Sequence, residues 1–331
     1  MSSGKLTRNI HFIWCLRIAL LLPLCWYLYC LLPTGNGSTI HDLSLPPGSG
    51  IKKLAADLKQ NGLIRSTLHF TLMTRLRGEA RRLKSGEYRL NDGMSAGDIL
   101  TKIVNGDVDV RRFTVPEGYS IYQAAELSDQ QGLFKRDEFL AACRDQELMR
   151  HFGVNGESLE GYLFPATYTV GHATTARQLV SNMVEQFFKE YARLDLVAKG
   201  GQLSRQQIVT LASMVEKEAK DTREKPLIAS VFHNRLKIGM PLQSDPTAVY
   251  GVRAFSGKVT KKDIERPGPY NTYLNKGLPP GPIGNPGSDA LQAVLQPQAS
   301  SYLYFVARQD GTHQFSTNLE QHNRAVVRYL K

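Results

Sequence analysis

The chain has 331 residues, 42% of them hydrophobic and 21% charged, with a formal net charge of +11. Four cysteines, three of them clustered at Cys15, Cys25 and Cys30 and one far away at Cys143, exclude a disulfide scaffold, and no Cys/His spacing suggests zinc. Lys and Arg are scattered apart from Arg75, Arg77, Arg81, Arg82 and Lys84, and no nucleic-acid-binding pattern accompanies them. The basic balance suits a domain beside an anionic membrane and a carboxylate-bearing polymer.

Residues 10–32 are almost entirely apolar or aromatic, and no Asp or Glu precedes Asp42. The run uninterrupted by charge, Ile18–Leu32, reaches only roughly 22 Å, short of a bilayer core of roughly 30 Å. Counted from Ile10, with the Arg17 stem reaching back to the interface, the segment is long enough to span. Lys5 and Arg8 precede it and no Lys or Arg follows until Lys52, so the positive-inside bias puts the N-terminus in the cytoplasm and exports the remainder. The stretch after it, Leu31-Leu32-Pro33-Thr34-Gly35, lacks a small-x-small cleavage site, which favours an anchor over a signal peptide.

Asn36–Pro47 is polar and rich in Pro and Gly and reads as a linker. An internal echo follows. Pro46-Pro47-Gly48-Ser49-Gly50-Ile51 and its sequel lie on Pro116-Glu117-Gly118-Tyr119-Ser120-Ile121 and its sequel. Identities fall at Pro46/Pro116, Gly48/Gly118, Ile51/Ile121, Ala55/Ala125, Gln60/Gln130, Gly62/Gly132 and Leu63/Leu133. Each copy predicts a Pro-x-Gly turn, a short amphipathic helix and a Gly stop. Between them Gly86–Leu90 reads as a strand and Met94–Leu100 as the start of a helix. Such small α+β modules either bind glycan chains, in the manner of LysM domains, or are supersecondary units without a ligand.

Helical pattern covers Thr175–Ala198 and Ser204–Lys220, the latter opened by a capping box of Ser204 and Gln207. A third helix is predicted from about Lys225 to Lys237, with Ile228, Val231, Phe232 and Leu236 inward and Gly239 as the stop. From Met240 to Asn285 the chain is rich in loops. A β-like run follows at Tyr302–Ala307, and a C-terminal helix at Asn318–Leu330.

On the second helix Ile208, Leu211, Ala212, Val215 and Ala219 make an apolar stripe. At about 100° per residue Glu218 lies within roughly 20° of Leu211, at the stripe's edge and stacked over Met214. Lys217 points to solvent, and Glu216 flanks the opposite edge. A carboxylate beside an apolar wall is placed to have its pKa raised, as a general acid working near neutrality requires. The bland alternative is an ordinary ion pair with Arg223, Lys225 or Arg235. His233, His313 and His322 read as packed or hydrogen-bonded residues rather than metal ligands.

Several blocks, in this order, resemble the endolytic murein transglycosylase (YceG-like) family. They are Glu160–Tyr168, Leu211–Glu218, Val231–Leu236, Leu242–Thr247, Tyr270–Tyr273 and Gly277–Ile283. The anchor and the first small domain also match the family's layout. One departure is Ala219, where the family often carries Thr or Ser. The resemblance implies cleavage of the β-1,4 bond between N-acetylmuramic acid and N-acetylglucosamine inside glycan strands, with Glu218 as acid and then base and a 1,6-anhydro product. It also implies action on nascent strands at the inner membrane, beside peptidoglycan synthases, with no cofactor.

The remaining blocks suit a glycan cleft on physical grounds. Gln243 and Asn271 offer amides for N-acetyl groups, Tyr250, Tyr270 and Tyr273 offer flat faces for sugar rings, and Pro279, Pro280 and Pro282 stiffen a wall. Ser244 and Thr272 complete the expected substrate-binding set. Asp245 is either a second carboxylate near the oxocarbenium or a turn residue before Pro246. Glu160 is either a cleft residue or a helix-terminal or ion-pair group.

The whole reads as an α+β protein. A cytoplasmic tail (1–9), a transmembrane helix (10–32) and a linker (33–47) precede a LysM-like α+β domain (48–114) and a larger α+β catalytic domain (115–331) with its glutamate on a helix. A hydrolase using Asp245 and a non-enzymatic peptidoglycan-binding scaffold are the competing readings.

Overall fold

The computed structural model describes residues 21–108, 110–171, 174–195, 203–252 and 259–330. The chain forms two compact units, one of residues up to Arg111 with a short return segment from Val170, the other of Arg112–Thr169 and the chain from Thr174 onward.

In the first unit β1 (Ile40–Leu45) pairs antiparallel with β2 (Gly86–Asn91), Leu43 opposite Tyr88. Between them lie α1 (Ile51–Gln60) and α2 (Thr67–Leu76), and α3 (Ala96–Asn105) follows. Ser95 and Asp98 close a capping box at the start of α3, and Gly106 ends it in the left-handed region at φ 71°. The core gathers Leu43 and Leu45 from β1, Leu54 and Leu58 from α1, and Phe70 and Met73 from α2.

The segment expected to be a linker therefore contains a strand. Only Leu43 and Leu45 alternate inward along it, a period-two signal too brief to stand out beside Pro46-Pro47.

Residues 21–31 are helical. No helix among the described residues is long and apolar enough to cross a bilayer, and residues 10–20 of the expected span lie outside them. At the inner end of this stretch Cys30 is buried and Leu31 packs on the unit's core.

The second unit opens with β3 (Val110–Thr114), α4 (Ile121–Gln130), α5 (Arg136–Cys143), α6 (Gln146–His151) and β4 (Thr167–Gly171), and β3 pairs with β4. The echo in the sequence is thus an echo in structure: each copy is a strand, a run of helices and a returning strand, with two helices in the first and three in the second. Its punctuation repeats as well. Gly48 and Gly118 sit at φ 80° and 75°, and Gly62 and Gly132 at 69° and 64°, a region that only glycine enters without strain.

The remainder is mainly helical: α7 (Ala176–Asp195), α8 (Arg205–Glu218), a 3-10 turn (Thr222–Glu224), α9 (Lys225–Lys237), α10 (Asp245–Val249), α11 (Lys261–Ile264) and α12 (Ser288–Leu295). It closes with the hairpin β5 (Tyr304–Ala307) and β6 (His313–Ser316) and with α13 (Leu319–Leu330). The capping box of Ser204 and Gln207 opens α8 as its sequence predicts, and α9 has the predicted bounds.

The burial of α8 goes beyond the expected stripe. All eight residues from Ile208 to Val215 are buried, polar Thr210 and Ser213 included, because α9 and α12 both pack against this helix. The two hydroxyls are absorbed by carbonyls: Thr210 Oγ1 donates to Gln206 O and Ser213 Oγ to Thr210 O, each at 2.7 Å. A helix enclosed in this way is a rigid base for whatever its last turn carries.

Candidate active site

Glu218 is the last residue of α8. It is half-buried, and its Oε1 accepts the Ser244 hydroxyl at 2.6 Å. Burial pushes its carboxyl up to about 7; the Asp245 charge adds to this, while the Ser244 hydrogen bond and the more distant Arg235 cation oppose it. The negative end of the helix works in the same direction as burial.

None of the expected ion-pair partners reaches Glu218. Arg223 pairs with Asp221 at 2.7 Å and Lys225 with Glu216 at 2.9 Å. Arg235 is buried and donates to the carbonyls of Leu303 (2.6 Å) and Leu242 (2.7 Å). The bland reading of Glu218 as an ordinary ion pair is therefore set aside.

Two other expectations for this turn are corrected. Lys217 is not turned to solvent: it is partly buried, with Nζ 3.5 Å from Gln123 Oε1, and burial draws its pKa down to about 8 against the opposing charges of Glu160 and Glu216. Glu216 does not merely flank an edge. Its side chain is 7% exposed and is held by Lys225, itself 3% exposed, and by the Gly287 N–H at 3.0 Å. The reason in both cases is the all-round enclosure of α8, which helical periodicity alone cannot reveal.

Ser244 owes its place to the turn around it. Gln243 has φ 47°, the only non-glycine in the left-handed region among the described residues. Its N–H donates to Thr272 O (3.2 Å), and the Ser244 N–H to Thr272 Oγ1 (3.0 Å). Thr247 Oγ1 lies 2.8 Å from Thr272 Oγ1 and donates to Ser244 O at 2.6 Å. This clamp aims a buried hydroxyl at Glu218. Strain of this kind persists where surrounding bonds over-determine it.

Asp245 is exposed in the first turn of α10, and Tyr273 donates its phenol to Oδ1. Gln243 is exposed as well. Asn271 lines the cleft that also holds Tyr250 and Tyr270, while Thr272 is not among its lining residues. Both are buried; the Asn271 amide donates to Ile264 O and Arg266 O and accepts from the Tyr273 N–H. The amide read as a sugar ligand is consumed in holding its own loop, a common fate of Asn in tight turns.

Glu160 lines a cleft that Thr247 and Asn271 of this cluster also line. It is 4% exposed. The Ile121 N–H at the start of α4 approaches both its oxygens at 3.1 Å, Tyr250 donates its phenol at 2.9 Å, and Asn285 Nδ2 lies at 3.3 Å. Burial still lifts its carboxyl to about 7 against those hydrogen bonds and the Lys217 charge. The cleft, of about 530 Å³, is lined as well by Tyr122, Tyr250, Tyr270, Arg266 and Pro282, and Glu218 is not among the lining residues. The Tyr250 and Tyr270 rings are 4.7 Å apart. Tyr122 and Tyr250 also line a neighbouring cavity of about 580 Å³ along α4.

Sequence reasoning misses Asn285, although it lies just beyond the block Gly277–Ile283. Fully buried, it takes the Leu163 N–H on Oδ1 (2.8 Å) and donates through Nδ2 to Tyr119 O (2.7 Å). The Ile283 N–H donates to Ser213 Oγ at 3.0 Å. Together they pin the proline-rich loop to α8 and to the start of α4. Of the three histidines, His233 meets Val294 O, His313 pairs with Glu224, and His322 stacks on Tyr304.

The same order of blocks recurs in known proteins. The sequence profile of the YceG-like family matches residues 43–328. The chain belongs to that family. Among YceG-like relatives, the endolytic murein transglycosylase of Bacillus subtilis (strain 168) is 33% identical over 311 residues, covering 89% of this chain and 86% of its own. The endolytic murein transglycosylase of Streptococcus pneumoniae (strain D39) is 32% identical over 327 residues; the alignment covers 89% of this chain but only 59% of that longer protein. A solved YceG-like structure from Listeria monocytogenes superposes with a TM-score of 0.61 at 33% identity, covering 87% of this chain and 99% of that one.

Proposed function

We propose that this YceG-like protein is an endolytic murein transglycosylase that cleaves the MurNAc-β-1,4-GlcNAc bond and leaves 1,6-anhydroMurNAc ends. The observation that carries the reading is Glu218, a half-buried carboxylate without an ion-pair partner among the described residues, its pKa raised to about 7 by burial and its Oε1 met by the Ser244 hydroxyl. The relatives named for the same activity support it.

In this mechanism protonated Glu218 gives its proton to the glycosidic oxygen as positive charge develops at the muramic C1. The resulting carboxylate, which the Ser244 hydroxyl favours, then accepts the proton of the muramic C6 hydroxyl as that oxygen closes on C1. The attack is intramolecular, so high effective molarity replaces an activated water. A residue that must be neutral first and anionic next works best with a pKa near the ambient pH. Asp245, fixed by Tyr273, supplies negative charge that keeps Glu218 protonated and complements the oxocarbenium. Tyr250 and Tyr270 offer stacking faces to further sugars, with Glu160 holding Tyr250 in place.

The same reading puts residues 10–32 across the inner membrane as a single anchor, with the N-terminus cytoplasmic and the rest periplasmic beside peptidoglycan synthases. The charge asymmetry of the flanks supports this. The small α+β domain of residues 48–114 is proposed to be LysM-like and to bind glycan.

Digestion of murein sacculi by wild type and Glu218→Gln, read by mass spectrometry, tests the assignment. Near-complete loss of turnover with folding and glycan binding retained is expected. Unchanged release of anhydro-ended fragments by the variant overturns it. Fragments heavier by one water, about 18 Da, indicate the hydrolase using Asp245.

A further inference from the structure

Helix α2 turns Leu68, Leu72 and Leu76 outward, 68%, 42% and 72% exposed, while His69, Phe70, Met73 and Thr74 are buried. Spaced four apart, the three leucines form one stripe on the helix surface. Scattered exposed leucines need no explanation, but a contiguous apolar stripe marks an interaction surface.

The stripe has apolar company. The ring of Tyr27 lies 4.6 Å and that of Trp26 6.1 Å from His69. Arg65 donates to Tyr29 Oη (2.8 Å) and to Pro33 O (2.7 Å), and its guanidinium covers the Tyr29 ring at 4.4 Å. His69 sits at the edge of the leucine stripe on the helical wheel, and Arg65 lies just before the N-cap Ser66. The helical stretch 21–31, itself exposed at Leu21, Leu22, Leu24 and Leu28, therefore rests against the same helix.

The charge is one-sided. From Lys59 to Lys84 Glu79 is the single acidic residue, against Arg75, Arg77, Arg81, Arg82 and Lys84, all exposed at and beyond the end of α2. An apolar stripe flanked by Arg and Lys, next to Trp and Tyr, is the pattern of a segment lying in the headgroup region of an anionic leaflet.

We propose that α2 is a membrane-surface contact: Leu68, Leu72 and Leu76 enter the headgroup–acyl boundary, and the arginine cluster pairs with anionic lipid phosphates. Continuity with the apolar N-terminal stretch and complementary charge select a bilayer over a protein partner. The inference rests on the reading of residues 10–32 as an anchor, but adds a second and separable attachment.

The test uses the full chain with p-benzoylphenylalanine replacing Leu68 or Leu72, or Lys53 on α1 as control, reconstituted in phosphatidylethanolamine/phosphatidylglycerol vesicles and irradiated. Lipid adducts are expected at positions 68 and 72 and not at 53. Replacing Arg81 and Arg82 by Gln should cut the yield by roughly tenfold. Flotation of the same samples separates the two claims. Protein that floats but forms no lipid adduct at 68 or 72 overturns the contact and leaves the anchor standing, whereas protein that fails to float overturns both. Adducts to a second copy overturn the lipid assignment, and equal yields in neutral phosphatidylcholine overturn the pairing of the arginine cluster with anionic lipid. Hydrogen exchange on the unmodified chain probes the same contact without a substitution: slowing over Thr67–Leu76 is expected in anionic relative to neutral vesicles, and equal rates overturn the proposal.

Discussion

Ser244 Oγ donates to Glu218 Oε1 at 2.6 Å while the Ser244 N–H is itself held by Thr272. The serine thus transmits the geometry of a clamped loop to the end of a buried helix. It also favours the ionised form of a carboxylate that burial keeps neutral.

Removing that hydroxyl should therefore separate two effects. With Glu218 near 7, kcat/KM of the wild type should fall as pH rises through about 7, because the acid form is lost. In Ser244→Ala the favoured anion loses its donor, the pKa rises further, and the falling limb moves to higher pH. The maximum rate should drop by roughly tenfold or more, the scale of one hydrogen bond to a charged group. A pH–rate profile on purified glycan strands reads both.

Glu160 predicts a pH-dependent stability. Its folded pKa of about 7 lies above the ordinary 4.5, so the native state holds this proton more tightly than the unfolded chain. The associated stabilisation is fully present below pH about 4.5 and is lost as pH rises through about 7, a span of roughly 3 kcal/mol. Glu218 gives a slope of the same sign. Urea midpoints measured across this window should flatten in Glu160→Gln compared with wild type, both in a Glu218→Gln background.

The Glu216–Lys225 pair predicts strong non-additivity. Lys225→Met leaves a buried carboxylate without its cation and should cost about 3–5 kcal/mol. Pairing it with Glu216→Leu removes the stranded charge and should recover most of that loss, in a double-mutant cycle followed by chemical denaturation.

The backbone at Gln243 gives a fourth. At φ 47°, Gln243→Val should destabilise by about 1–2 kcal/mol, because a β-branched side chain resists that conformation, and should lower kcat by misplacing Ser244. Gln243→Gly should retain the fold with little change. Thermal unfolding and turnover of the two variants distinguish the effects.

Much of this is legible in the residues. Ser204 and Gln207 announce α8, the periodicity places Glu218 on it, and the Pro-x-Gly echo foretells two modules with matching turns. What escapes depends on packing rather than pattern. Nothing local says that Asn271 spends its amide on Ile264 O and Arg266 O, or that Lys217 is covered. β1 is hidden because two inward leucines make a faint alternation, and Asn285 because a lone Asn between Gly and Pro resembles any turn.

The last turn of α8 sends three neighbouring side chains to three destinations: Glu216 to Lys225 and Gly287, Lys217 toward Gln123, and Glu218 to Ser244. Because successive residues are rotated by about 100°, inserting or deleting a single amino acid upstream would reassign every one of these addresses at once. The length of the helix is locked, like the bit of a key.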